Sequence, residues 1–146
     1  RGLGGEVATM TAALDPRVAA TVTAGFVPDF GVMRWNGSHP CWRWERSGDI
    51  EEYLDGADLQ ALIAPRALLV ETGRDDRTQS RLGPVLAEEM AGRARPAWGA
   101  EAERYVSLLH DGGASLRTEP LFPLLARLLD GSPTAPVSAR AARADQ

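Results

Sequence analysis

Apolar residues near the amino end recur at helical spacing: Val7, Met10, Thr11 and Leu14 predict a helix of about three turns after a glycine-rich start. Asp15-Pro16 ends it, because proline pushes the residue before it out of the helical region. The pattern then changes period. The β-branched stretch Val18 to Ala24, closed by Gly25, predicts a strand. Residues 26–56 hold no sustained period and predict a long loop, with a short helix near Ile50 to Leu54. Asp58 is positioned to cap a short helix over "LQALI" that stops before Pro65. The nearly continuous apolar run "RALLVETG" predicts a strand covered on both faces. Leu82, Val85, Leu86 and Met90 predict a helix within residues 77–100, "RYVSLLH" a third strand, and the leucine stripe from Pro120 to Leu129 a closing amphipathic helix.

Helices alternating with strands predict an α/β fold: a parallel sheet of about three strands with flanking helices, joined by right-handed crossovers. Residues 1–130 are expected to form the domain and residues 131–146 a flexible tail. No internal repeat is present.

Composition narrows the functions. The chain has 146 residues, 44% of them hydrophobic and 25% charged, which suits one globular domain. Its net charge is −4, and all 16 basic residues are arginines scattered without a cluster, so nucleic acid is not an expected partner. The absence of lysine removes Schiff-base chemistry. A single cysteine, Cys41, rules out an intrachain disulfide. With neither a bilayer-length apolar run nor a signal-peptide pattern, no membrane association is expected and the cytoplasm is the expected location. Because the sequence begins with Arg rather than Met, a natural start further upstream is expected.

Three stretches, "GGEVATMTAALDPRVAATV", "DLQALIAPRALLVETGRDD" and "HDGGAS", resemble the carboxyl-terminal half of an α/β-hydrolase, most like acetyl xylan esterases and dienelactone hydrolase-like proteins. The resemblance runs from Arg1 to about Leu129. It implies ester hydrolysis by a serine held in a strained Gly-x-Ser-x-Gly turn, an acid in a Gly-x-x-Asp loop and a histidine in a "GGH" turn. On this sequence Gly4 and Gly5 match the glycines after the nucleophile, Leu3 the oxyanion amide, and Gly2 the nucleophile itself, where no attacking atom exists. Asp76 matches the acid, with Asp75 as the near alternative, and Ala114 stands where the base belongs. The resemblance therefore implies an esterase-related domain that is catalytically degenerate.

Several alternatives stand beside this one. The glycines before the helix also suit a plain helix start or an anion at a helix amino terminus. Asp76 is read preferentially as a cap for the helix that follows, and His110 as a satisfied histidine at a strand end rather than a substitute base; an active site rebuilt around His110 and Asp76 is the competing reading. His39 with Cys41 is too sparse for a metal site, Cys41 and Ser115 lack the signs of a replacement nucleophile, and no cofactor is implied. Trp35, Trp42 and Trp44, with Tyr53, either wall a pocket for an acyl ester or carbohydrate ligand or seal the loop to the body. Asn36-Gly37-Ser38 matches a glycosylation acceptor that matters only in a secreted eukaryotic protein. Finally, the fold sets the nucleophile strand directly before Arg1, so an open parallel edge is expected there. A homo-oligomer or a complementary amino-terminal chain would cover it, the second possibility making the protein a non-catalytic binding or scaffolding subunit.

Overall fold

In a computed structural model, residues 2–27, 52–76, 82–113, 115–117, 121–122, 125–126 and 129–130 are described. Helix α1 (Leu3–Leu14) leads to strand β1 (Ala20–Ala24), followed by α2 (Gly56–Ala61), β2 (Ala67–Gly73), α3 (Gly83–Ala94), a 3-10 segment (Arg95–Arg104) and β3 (Tyr105–His110). The described residues between 121 and 130 are helical. The sheet is parallel in the order β1-β2-β3, with Val22 beside Leu69 and Leu69 beside Val106.

All seven residues of the central strand β2 are buried, and its apolar stretch from Ala67 to Val70 serves both faces. On one face Leu68 and Val70 pack with Tyr105, Ile63, Trp98, Met90 and Ala12. On the other, Ala67 and Leu69 pack with Leu121, Val22, Val106 and Leu125, so the closing helical residues cover that side. Among the described residues, no helix is long and apolar enough to cross a membrane.

Four expectations need correction. The helix before Pro65 begins at Gly56: Asp55 is its N-cap and accepts from the amides of Ala57 and Asp58, while Asp58 sits at the third helical position and reaches back to the amide of Asp55. This reciprocal box outcompetes a cap at Asp58, because it satisfies donors at both ends of the first turn. The helix expected within residues 77–100 passes into a 3-10 segment at Arg95, where Pro96 removes a donor and Gly99 has φ 53°. The largest change concerns which side of each helix faces inward. In α1 the buried positions are Gly5, Thr9 and Ala12, whereas Leu3, Val7 and Leu14 are exposed. In α3 the buried side includes Ala87, Ala91 and Ala94 beside Leu86 and Met90, leaving Leu82 and Val85 outside. Small residues let a helix axis approach its neighbours closely: a Cβ on Gly5 would lie 2.8 Å from the Cβ of Phe26.

The start of β1 is also later than Val18. The Arg66 guanidinium takes the carbonyls of Asp15 (2.9 Å) and Val18 (3.1 Å), diverting that backbone from the sheet. Strand pairing begins at Ala20, beside Ala67.

Candidate functional site

The carboxyl ends of the three strands bring most of the described candidates to one end of the sheet. Gly2 precedes α1 in a conformation with φ 53° and ψ −124°, a region that glycine enters freely and other residues enter only under strain. Its amide donates to the carbonyl of Ala24 (3.2 Å) at the end of β1, and its own carbonyl accepts from the Glu6 amide (3.0 Å), opening the helix. The turn is thus fastened on both sides, while a Cβ at Gly2 would meet none of the described residues within 4 Å. Leu3, the first helical residue, is exposed.

Asp76 lies beside this turn. It is 5% exposed, and a Cβ on Gly25 would come within 2.7 Å of its Oδ2, so the carboxylate rests on the glycine that ends β1. Gly25 has φ 57° and is held to β2 by its amide on the Glu71 carbonyl (2.9 Å). Gly2 and Asp76 therefore border the same dipeptide, Ala24-Gly25. The expected capping role of Asp76 is not seen: α3 begins at Gly83 with Leu82 as N-cap and no side-chain cap bond. Asp75, by contrast, is exposed.

His110 ends β3 opposite Gly73 and is 5% exposed. Its carbonyl accepts from the Arg74 amide (2.9 Å), and that of Gly112 accepts from Asp75 (2.9 Å), which seats the glycine turn over the end of β2. Both imidazole nitrogens face protein atoms. Nδ1 is 3.2 Å from the carbonyl of Asp111, and Nε2 is 3.2 Å from Oε1 of Glu71, close enough for an ion pair although not aligned as a hydrogen bond.

Glu71 was not singled out by sequence reasoning, although one feature could have found it: an acidic residue inside the otherwise apolar "ALLVETG". It is 1% exposed. Burial pushes its carboxyl above the ordinary value of 4.5, opposed by the hydrogen bond from the Arg117 amide (2.6 Å) and by the charges of His110 and Arg117.

Ala114, Trp35, Trp42 and Trp44, together with Asn36, His39 and Cys41, lie outside the described residues. Tyr53 and Ser115 are exposed. Among the described residues, no group of three His, Cys, Asp or Glu side chains could hold a metal ion.

The parallel three-stranded sheet flanked by helices matches part of an α/β-hydrolase fold. Among solved structures, the chain is similar to the glucuronoyl esterase catalytic domain (Cip2_GE) from Hypocrea jecorina, with a TM-score of 0.60 and 16% identity. The match covers 98% of this chain and 48% of that one, so the chain spans about half the length of the esterase domain. No protein-family model matches the sequence, and no curated protein matches it.

Proposed function

We propose that this chain is an esterase-related α/β-hydrolase-like domain whose own acyl-transfer chemistry is degenerate. The observation that supports the reading is Gly2: its positive-φ conformation is one that the reading needs at a nucleophile turn, a Cβ there would meet none of the described residues within 4 Å, and glycine has no hydroxyl to place there. With Ala114 at the base position, two of three reacting groups are missing, and loss of such groups lowers turnover by about 10⁴ to 10⁶. His110 does not stand in readily as a base, because both of its nitrogens are turned to Glu71 and Asp111. If the site binds a ligand, an acyl ester of a carbohydrate is the class we propose, with Trp35, Trp42 and Trp44 as candidate contacts.

The test is hydrolysis of p-nitrophenyl acetate by the wild-type chain, Gly2→Ser and His110→Ala, each checked for folding by circular dichroism. All three are expected to stay at the rate of free imidazole, because a serine alone has no base to activate it. Wild-type turnover that drops more than about a hundredfold in His110→Ala would instead establish the rebuilt site around His110 and Asp76.

A second reading, a binding or scaffolding unit completed by a partner, is favoured by one observation. The exposed residues Leu3, Val7 and Leu14 form an apolar stripe along α1, and β1 is the terminal strand of the sheet among the described residues. The stretch "ATVTA" carries no charge or proline that would discourage strand addition. Under this reading a second copy or a complementary amino-terminal chain supplies a strand and a helix. Light scattering is then expected to show self-association that Val7→Glu weakens; a folded monomer at all concentrations would exclude the homo-oligomer.

A further inference from the structure

We infer that Asp111-Gly112 is a self-modification site, where the chain converts aspartate to isoaspartate through a cyclic imide and the Arg117 guanidinium promotes the step. The Gly112 amide nitrogen attacks the side-chain carboxyl carbon of Asp111. A C–N bond forms, the C–OH bond breaks, and the hydroxyl leaves with the amide proton as water. Water then opens the ring. Opening at the original main-chain carbonyl leaves the chain running through the former side chain. The water lost is regained, so no other reactant is required.

The turn favours each part of this attack. Gly112 presents no Cβ to the approaching carboxyl, and its φ of 128° is one that glycine adopts without strain. Among the described residues, the Gly112 amide donates to no acceptor. As that nitrogen gives up its proton, negative charge spreads onto the carbonyl oxygen of the same peptide unit, which belongs to Asp111. Arg117 Nη2 donates to this oxygen at 2.7 Å, so a cationic donor already stands where the charge develops. A Cβ on Gly112 would lie 3.5 Å from the same Nη2, which sets the guanidinium against the reacting peptide. The Asp111 side chain is 70% exposed, and its ion pair with Arg74 at 3.3 Å is an exposed one that holds the carboxylate weakly. Nucleophile and carbon are neighbours in the chain, so the attack is unimolecular.

Asp55-Gly56 provides the internal comparison, because the same two residues meet a different environment. There Oδ1 accepts from the amides of Ala57 (2.8 Å) and Asp58 (3.2 Å), Oδ2 is paired with Arg93 at 2.5 Å, and Gly56 is buried in the first turn of α2. Turning that carboxyl onto the Gly56 amide would break the capping box and the ion pair together. One Asp-Gly peptide is therefore locked and the other primed. Isoaspartate at position 111 adds a methylene to the main chain, which displaces the Gly112 carbonyl from the Asp75 amide and loosens the turn on β2.

The test is ageing of the full chain at neutral pH, once folded and once in urea. The tryptic peptides 105–117 and 47–66 are then assayed with a carboxyl methyltransferase specific for isoaspartate. In urea both peptides are expected to convert. In the folded protein 105–117 is expected to accumulate isoaspartate while 47–66 does not. Arg117→Ala, which keeps the backbone amide bonded to Glu71, is expected to slow folded-state conversion of Asp111 by about tenfold, less than for a buried oxyanion donor because water competes. Arg117→Lys, which keeps a charged donor, is expected to retain most of the rate. A folded chain whose Asp111 stays aspartyl while the urea sample converts overturns the proposal on the unmodified protein. So does conversion of Asp55 as fast as Asp111 in the folded state, or an Arg117→Ala rate equal to or above that of the wild type.

Discussion

Replacement of Gly73 by alanine is expected to destabilise the protein by about 3 kcal/mol, the upper range for forcing extra atoms into a packed site. A Cβ there would collide with the Gly113 carbonyl and lie 2.6 Å from that of Gly112, and both obstacles are backbone. No side chain can rotate aside, so either the turn lifts off β2 or the strand shifts. Lifting the turn breaks the bond from the Asp75 amide to Gly112 and disturbs the register of Gly73 with His110. The comparison is Gly92→Ala on the exposed side of the last turn of α3, where a Cβ would meet none of the described residues within 4 Å. That change is expected to raise stability by about 0.5–1 kcal/mol through helix propensity alone. Urea denaturation of the three proteins reads both signs, and an unchanged midpoint for Gly73→Ala would show that the 111–113 turn does not sit on β2.

Tyr105→Ala is expected to cost more, about 4 kcal/mol, as for other buried aromatic truncations. The ring is 2% exposed and lies 4.8 Å, centroid to centroid, from Trp98, with the Arg95 guanidinium 5.4 Å above it. Its hydroxyl donates to Gln60 Oε1 at 2.6 Å, tying β3 to α2 through the core. Tyr105→Phe keeps the packing and strands only that amide oxygen, so it is expected to lose about 1–2 kcal/mol. The pair separates volume from hydrogen bonding.

Tyr105 also carries a pH signature. Burial drives its phenol above the ordinary value of 10.0, with Arg95 pulling the other way. The native state thus retains a proton that the unfolded chain releases, and stability should fall as the pH rises beyond about 10. Tyr105→Phe removes this part of the slope, so the gap between the two proteins should narrow in alkali. A gap that stays constant would place the hydroxyl in water.

The fold was largely legible along the chain because its signals are local. An apolar run such as Leu68, Leu69 and Val70 has to be covered on both faces, and Asp15-Pro16 has to stop a helix, whatever surrounds them. The inward faces of α1 and α3 were not legible. Large apolar residues mark a buried stripe only when bulk decides the packing, and here Gly5, Ala12, Ala87 and Ala91 do so by permitting close approach. Leu3, Val7 and Val85 were left outside as a result.

The candidate site divides in the same way. Gly2 at a glycine-rich helix start and Asp76 in a "GRDD" loop stand out as local patterns. Their meeting across Ala24-Gly25 does not, because it depends on where β1 ends beside β2. His110 was visible as a residue but not by its surroundings, since its partner Glu71 belongs to another strand and is brought to it by register.

By itself, then, the sequence determined the α/β order, the central apolar strand, and the absence of a hydroxyl at position 2 and of an imidazole at position 114. These follow from residue identity and short-range periodicity. Tertiary structure alone decided that Asp76 rests against Gly25 and that Glu71 and His110 face each other out of water. Such pairings are set by parallel register and crossover packing, which bring together side chains that are distant along the chain.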